Sequence, residues 1–246
     1  MKASPEAQLR LLDLQELDTA LDQLAYRRRR LPELAEIDDL TKRVDELRDA
    51  IVATETEAGD IAKEQSKAEA DVDQVRTRAE RDQKRLDSGQ VASPRELENL
   101  QSEIASLGER QAELEDIVLE VMERRDQAER RKQQSETQRG EISEQLAELE
   151  RRRDEAFAEI DEQVSAKQEQ RGVVTGDIPE ELLSLYEKLR NQTGIGAAAL
   201  HRGRCEGCHL SLTTIDLNHI RNADPDEVVR CEECRRILIR TPESGQ

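Results

Sequence analysis

The feature that most constrains this chain is an apolar seam repeating at alternating three- and four-residue spacing. It runs through Ile37, Leu40, Val44, Leu47, Ile51, Thr54, Ala58, Ile61, Gln65, Ala68, Val72, Val75, Ala79, Asp82 and Leu86, and twelve of these fifteen positions are apolar. A stripe with this period keeps to one side of a helix only if the helix supercoils against a partner. A shorter run of the same spacing precedes it at Leu14, Leu17, Leu21, Leu24 and Leu31, and Pro32 separates the two. Proline lacks an amide N–H and clashes with the preceding turn, so a kink or break belongs there.

The seam stops at Asp87-Ser88-Gly89-Gln90-Val91-Ala92, and Ser93-Pro94-Arg95-Glu96 follows. Ser at the N-cap, Pro at the first helical position and Glu at the third make a capping box with a proline start. Ser4-Pro5-Glu6 opens the first helix in the same way. A second seam then runs through Leu97, Leu100, Ile104, Leu107, Gln111, Leu114, Val118 and Val121. It weakens from Arg125 to Arg139, where only Ala128 is apolar, and resumes at Ile142, Leu146, Leu149, Ala156 and Ile160. The pattern predicts two helices of roughly 80 residues, about 120 Å each, with the second fading near Arg171-Gly172. A connecting loop of about six residues suits antiparallel neighbours. Residues 1–172 therefore read as an antiparallel coiled-coil hairpin with its turn at about 87–93, and two such hairpins could associate through the arm. The polar run 125–139 is expected to face Val44–Ile51, as a soft spot in the arm or else a partner-binding segment. Two basic runs, Arg27–Arg30 and Arg151–Arg153, read as solvated faces balanced by Glu33, Glu36, Glu148, Glu150, Asp154 and Glu155.

Composition agrees with long helices. Charged residues make up 38% of the 246 and aromatic ones 1%, too few large apolar side chains for one compact core of this length. No run approaches a membrane span, and the first residues lack an apolar signal core, so the chain is expected in the cytoplasm. The net charge of −18 lies mostly on the predicted arm. Such a surface repels nucleic acid and anionic membrane.

Residues 173–246 read as a linker, a short helix and a small metal-binding module. The linker is Gly172 to Ile178; Pro179 opens a helix with the apolar face Leu182, Leu185, Tyr186 and Leu189, with Tyr186 in a packing role. The four cysteines of the chain form two hooks, Cys205-Glu206-Gly207-Cys208 and Cys231-Glu232-Glu233-Cys234, with 22 residues between them. Two Cys-x-x-Cys hooks supply the four thiolates of a closed structural zinc site with no open position for substrate. Two disulfides would use the same residues but need an oxidising compartment, and a redox pair would sit beside a βαβ unit that is not seen here. Ala197–Leu200, Val228–Arg230 and Arg235–Arg240 read as short strands, with Leu210, Leu212, Ile215, Leu217 and Ile220 as the core between the hooks. A module this small needs the metal to fold. His201, His209 and His219 all lie in it, but the four cysteines already complete a zinc shell. No phosphate loop, nucleophile elbow or zinc-protease motif occurs, so neither an enzyme nor a small-molecule substrate is expected.

Ser93-Pro94-Arg95-Glu96-Leu97-Glu98-Asn99-Leu100, the Leu-x-x-Leu-Tyr-Glu-x-Leu-Arg helix at 182–190, and the two hooks with Arg235-Arg236-Ile237-Leu238 resemble the bacterial C4-type zinc-ribbon proteins with a long N-terminal coiled-coil hairpin. The resemblance spans essentially the whole chain. It implies a mainly α fold, a long antiparallel coiled-coil hairpin plus a small C-terminal β zinc ribbon, one structural Zn2+ on Cys205, Cys208, Cys231 and Cys234, and no enzymatic activity. Some members are linked to flagellar gene control through an alternative sigma factor or through messenger RNA. Two functions follow as expectations. The ribbon could bind DNA or RNA as a regulator, with Arg202, Arg204, Arg221, Arg230, Arg235, Arg236 and Arg240 on phosphates, although it offers no aromatic side chain for base stacking. Alternatively the arm or ribbon docks on a protein of the transcription machinery, a sigma factor or RNA polymerase.

Overall fold

The computed structural model describes residues 1–89, 91 and 93–244. Of the turn expected at 87–93, Gln90 and Ala92 lie outside the described residues. Helix α1 (Pro5–Arg29) begins at Ser4, whose Oγ accepts from the Ala7 amide at 3.2 Å, and ends with Arg27, Arg28 and Arg29 against the negative end of its dipole. A break at Arg30-Leu31 precedes α2 (Pro32–Asp87), so the proline ends one helix and starts the next. Helix α3 (Pro94–Gly176) is capped by Ser93, whose Oγ accepts from the Glu96 amide at 3.2 Å. Short elements follow: α4 (Glu180–Thr193), β1 (Ala197–His201), β2 (Arg204–Cys205), α5 (Thr214–Asn222), β3 (Ile237–Arg240) and a 3-10 turn at Pro242–Ser244. No helix of the described residues is long and apolar enough to cross a membrane.

The chain divides into two compact units, Ala35–Glu150 and the combination of Met1–Leu34 with Arg151–Gln246. The boundary read at residue 172 falls inside α3. That helix passes Gly172 and ends at Gly176, so the linker shrinks to the residues before Pro179. Packing overrides the glycine: Val174 lies against the apolar core of its unit, and Arg171 is held by Asp18 and Glu187.

In the unit Ala35–Glu150, α2 and α3 run antiparallel, and every expected seam residue of α2 from Ile37 to Leu86 is buried or half-buried. On α3, Leu97 departs from the pattern and is exposed, whereas Leu100, Leu114, Val121 and Ala128 are buried. The first half of the polar run does not face Val44–Ile51. Arg131 reaches Glu57 at 2.9 Å, Lys132 reaches Glu55 at 2.9 Å and Arg125 donates to Gln65 at 3.2 Å, so its first half lies opposite 55–65. The ion pairs and the packing of Ala128 against Ile61 hold this register. The run also keeps a core, because Ala128 is fully buried with Ile61 and Val121, and Ala58 packs beside them. The interhelix ion pairs beside it are exposed or, at Lys132, half-buried, and add little stability individually.

The other unit is built on a three-stranded sheet of order β2-β1-β3, with β1 antiparallel to β2 and parallel to β3. Side chains alternate across it. Ala197, Ile237 and Ile239 face one core with Ala3, Ala7, Leu11 and Leu14 of the N-terminal segment and Leu182, Tyr186 and Leu189 of α4. Ala198, Leu200 and Leu238 face a second core with Leu212, Ile220, Val229, Cys205 and Cys231. The N-terminus joins this unit directly: the Ala3 amide donates to Asp226 O at 2.7 Å, and Lys2 pairs with Asp224 and Asp226 at 3.1 and 3.2 Å. The basic runs behave as solvated faces. Arg28 stacks 4.1 Å over the Phe157 ring and pairs with Asp161, Arg151 pairs with Glu155, and Arg153 pairs with Asp154.

Candidate metal centre

Each hook sits at the end of a strand or bridge that aims its first cysteine inward. The β1–β2 hairpin turns on Arg202 and Gly203, with φ 47° and 74°, the paired positive angles of a tight hairpin turn. It delivers Cys205 into the core. Val229 and Arg230 pair with β3 and deliver Cys231. The two hooks then fold alike. His209 N donates to Cys205 O at 2.7 Å, and Arg235 N to Cys231 O at 2.8 Å; Cys205 N donates to Leu210 O at 3.1 Å, and Cys231 N to Arg236 O at 3.0 Å. The residue after each hook is left-handed, His209 at φ 61° and Arg235 at φ 63°. Gly207 is required where it stands, because a Cβ there would lie 2.9 Å from the Ala198 Cβ and 3.0 Å from the Arg236 Cδ.

The four Sγ atoms all lie within 4.8 Å of one another, with Cys205–Cys234 and Cys208–Cys231 each at 3.9 Å. A zinc ion with about 2.3 Å bonds to four tetrahedral sulfurs separates them by roughly 3.8 Å. The donor set and spacing fit one Zn2+. Cys205 and Cys231 are buried, while Cys208 and Cys234 are half-buried. Burial pushes the Cys205 thiol up to about 12 and raises Cys231 as well. At Cys234 burial acts in the same direction, but the Arg236 amide and the neighbouring thiols donate to its sulfur and leave it lowered. Four thiolates at this spacing repel one another without a cation, and a bound zinc supplies that charge. With all four ligands from protein the site is structural.

Histidines stand outside this group. His201 Nδ1 is 3.3 Å from Glu243, His209 Nδ1 is 3.9 Å from Glu206, and His219 lines a cleft beside α5. The arginines nominated for phosphate are mostly engaged within the fold. Arg204 Nε donates to His209 O and Arg230 Nε to Arg235 O, both at 2.7 Å. Arg236 donates to the carbonyls of Gly207 and Thr193, and Arg240 to those of Ala223, Asp224, Pro225 and Glu227. Arg235 pairs with Glu232 at 3.1 Å. Among the described residues, Arg202 and Arg221 make no such guanidinium contact.

Three features escape a reading of the sequence alone. Helix α5 lies between the hooks, where the apolar pattern predicts core residues but no helix; its sign was Thr213-x-x-Asp216, which forms a complete capping box. Ile215 on this helix and Leu210 before it are 80% and 50% exposed instead of joining the core. The third feature is a buried polar cluster beneath the sheet. Asp18, 1% exposed, accepts from Tyr186 OH at 2.7 Å and Arg171 Nε at 2.7 Å and pairs with Arg190 at 3.2 Å. Gln15 accepts from the Gly196 amide at 2.7 Å and from Tyr186 OH at 3.3 Å. Its trace in the sequence is the stripe Ala7, Leu11, Leu14, Asp18, where a carboxylate continues an apolar helix face.

Known proteins match along the whole length. A CT398-like coiled-coil hairpin domain covers residues 14–194, and a C4-type zinc ribbon domain covers residues 204–238. An uncharacterized protein of Mycobacterium tuberculosis strain H37Rv is 36% identical over 240 residues, 98% of each chain, and one of Mycobacterium leprae is 29% identical over 229 residues, 92% of this chain and 97% of its own. A solved structure from Mycobacterium smegmatis superposes with TM-score 0.85 at 33% identity, covering 98% of this chain and 100% of the other. CT398 of Chlamydia trachomatis shares the fold at TM-score 0.74 and 21% identity, covering 96% and 98%. Hairpin, ribbon and four-thiolate centre together place the chain in the family of CT398-like coiled-coil hairpin proteins that carry a C4-type zinc ribbon.

Proposed function

We propose that this is a non-enzymatic, cytoplasmic docking protein whose zinc-stapled ribbon and acidic arm engage a protein of the transcription machinery. The observation that carries the reading is the fate of the arginines. Four of the seven nominated for phosphate donate to backbone carbonyls of their own fold and a fifth pairs with Glu232. A nucleic-acid groove needs cations arrayed toward the backbone of its ligand. The arm residues 35–150 carry 32 acids against 18 bases, which suits a basic protein face and repels phosphate. On the ribbon, the exposed Ile215 lines a cleft of about 370 Å3 with Leu212, Ile220, Val228 and Val229 and with charged residues including Glu227, Glu232 and Arg235, a mixed apolar and charged foothold for a partner side chain.

The second reading, nucleic-acid binding by the ribbon, rests on the exposed Arg202 and Arg221. Affinity capture of the zinc-loaded chain from native cytoplasm, with and without nuclease, separates the two. Docking predicts the same protein partner in both samples, weakened by Ile215→Asp or by high salt. A partner lost on nuclease treatment, with a gel shift that persists at low salt, overturns docking in favour of the nucleic-acid reading.

A further inference from the structure

The two hooks share a repeat that neither the zinc ligands nor a phosphate surface explains. Each reads Arg-Cys-Glu-x-Cys: Arg204-Cys205-Glu206-Gly207-Cys208 and Arg230-Cys231-Glu232-Glu233-Cys234. In each, the residue after the second cysteine takes a left-handed φ without being glycine, His209 at 61° and Arg235 at 63°. A side chain at such an angle costs energy that the surroundings must offset. In both hooks the arginine before the first cysteine donates from Nε to the carbonyl of that strained residue, at 2.7 Å each time and across five residues each time. The amide of the same residue is already bonded to the first cysteine's carbonyl. Both polar groups of the strained residue are therefore held, one by backbone and one by arginine.

We propose that Arg204 and Arg230 are positioning residues of the metal centre, one per hook, that hold the two Cys-x-x-Cys loops in their zinc-binding shape through a single Nε–H donor. Neither touches a sulfur in the structure; they act through the carbonyls of His209 and Arg235. Losing the donor leaves an exposed carbonyl to water, so the chain still folds around zinc, but each hook opens more readily.

Glutamine and methionine separate the donor from the charge. A Gln side chain places its amide nitrogen at the same position along the chain as Arg Nε, without charge, whereas Met has similar length and no donor. The experiment uses the full zinc-loaded chain and follows zinc transfer to excess 4-(2-pyridylazo)resorcinol, with the charge-transfer and ligand-field bands of the Co2+-substituted protein as a second readout. Arg204→Met and Arg230→Met are expected to accelerate transfer about fivefold each, and the pair about twenty-five-fold, as two independent hydrogen bonds would. Both are expected to perturb the Co2+ bands. Arg204→Gln and Arg230→Gln are expected to stay within about twofold of the parent, as are Arg202→Met and Arg221→Met, whose guanidinium groups make no such bond. Met variants that release zinc at the parental rate with unchanged Co2+ bands overturn the proposal. Gln variants as fast as the Met variants overturn it too, because the charge and not the donor would then be what matters.

Discussion

Replacing Asp18 by Asn keeps the shape of the side chain and removes its charge, and the structure sets the expected cost. The carboxylate is 1% exposed, accepts hydrogen bonds from Arg171 Nε and Tyr186 OH, both at 2.7 Å, and is ion-paired with Arg190, whose Nε lies 3.2 Å away without hydrogen-bond geometry. Removing one partner of a buried ion pair costs about 3–5 kcal/mol when the other charge is left alone. Here neither guanidinium is left alone, since Arg171 keeps Glu187 and Arg190 keeps Asp22 at 3.0 Å, and their side chains are 26% and 20% exposed. That places Asp18→Asn at the low end, about 3 kcal/mol. Tyr186→Phe removes one hydrogen bond to a charged acceptor that retains both guanidinium partners, about 1.5 kcal/mol. Hydrogen exchange over α1 and α4 reads both, because these helices form the core around Tyr186. The expected order is Asp18→Asn, then Tyr186→Phe, then wild type. Parental exchange in the Asp18→Asn variant, or a larger loss in Tyr186→Phe, refutes the argument that the charge at Asp18 organises this cluster.

Tyr186 also predicts a pH dependence. Burial first, then its bond to Asp18, raises its pKa, so its contribution is complete below the unfolded tyrosine range near 10 and declines as pH rises beyond it. Denaturation midpoints of wild type should fall more steeply above pH ~10 than those of Tyr186→Phe; equal slopes count against the assignment. Gly196→Ala would set a Cβ 2.5 Å from the Tyr186 ring and 2.7 Å from its carbonyl oxygen, and the unit should lose about 2–3 kcal/mol in a urea melt. Zinc binding must displace protons from Cys205, raised to about 12, and from Cys231, so zinc affinity should fall from pH 8 to pH 6 and binding should release protons to a dilute indicator. Removing zinc with a chelator should unfold the ribbon core around Leu200, Leu212 and Leu238 while the helical signal at 222 nm largely persists, since residues 35–150 have their own seam.

Local information was enough wherever one period or one spacing dominates. The seam of α2 was legible because its burial repeats the sequence pattern residue for residue, and the hooks because zinc accepts few ligand spacings. Helix α5 was missed because its nine residues carry a weak apolar stripe, although Thr213-x-x-Asp216 marked its start. The end of α3 was misplaced because Gly172 looks like a stop until Arg171 and Val174 are seen to be held from outside the helix. Seven arginines looked alike on paper. Their separate roles depend on which carbonyl each one meets.

The sequence by itself determined the helical hairpin, its turn region and the four-thiolate zinc site, since each follows from periodicity, capping or metal geometry within short stretches. Tertiary structure alone decided that Met1–Leu14 joins the ribbon's sheet, that β1 and β3 run parallel, and that Asp18, Gln15 and Tyr186 meet in one buried cluster. Those pairings join residues about 40 to more than 200 positions apart. No local pattern encodes such a partner; only the packing of both faces of a small sheet brings the two ends of the chain together.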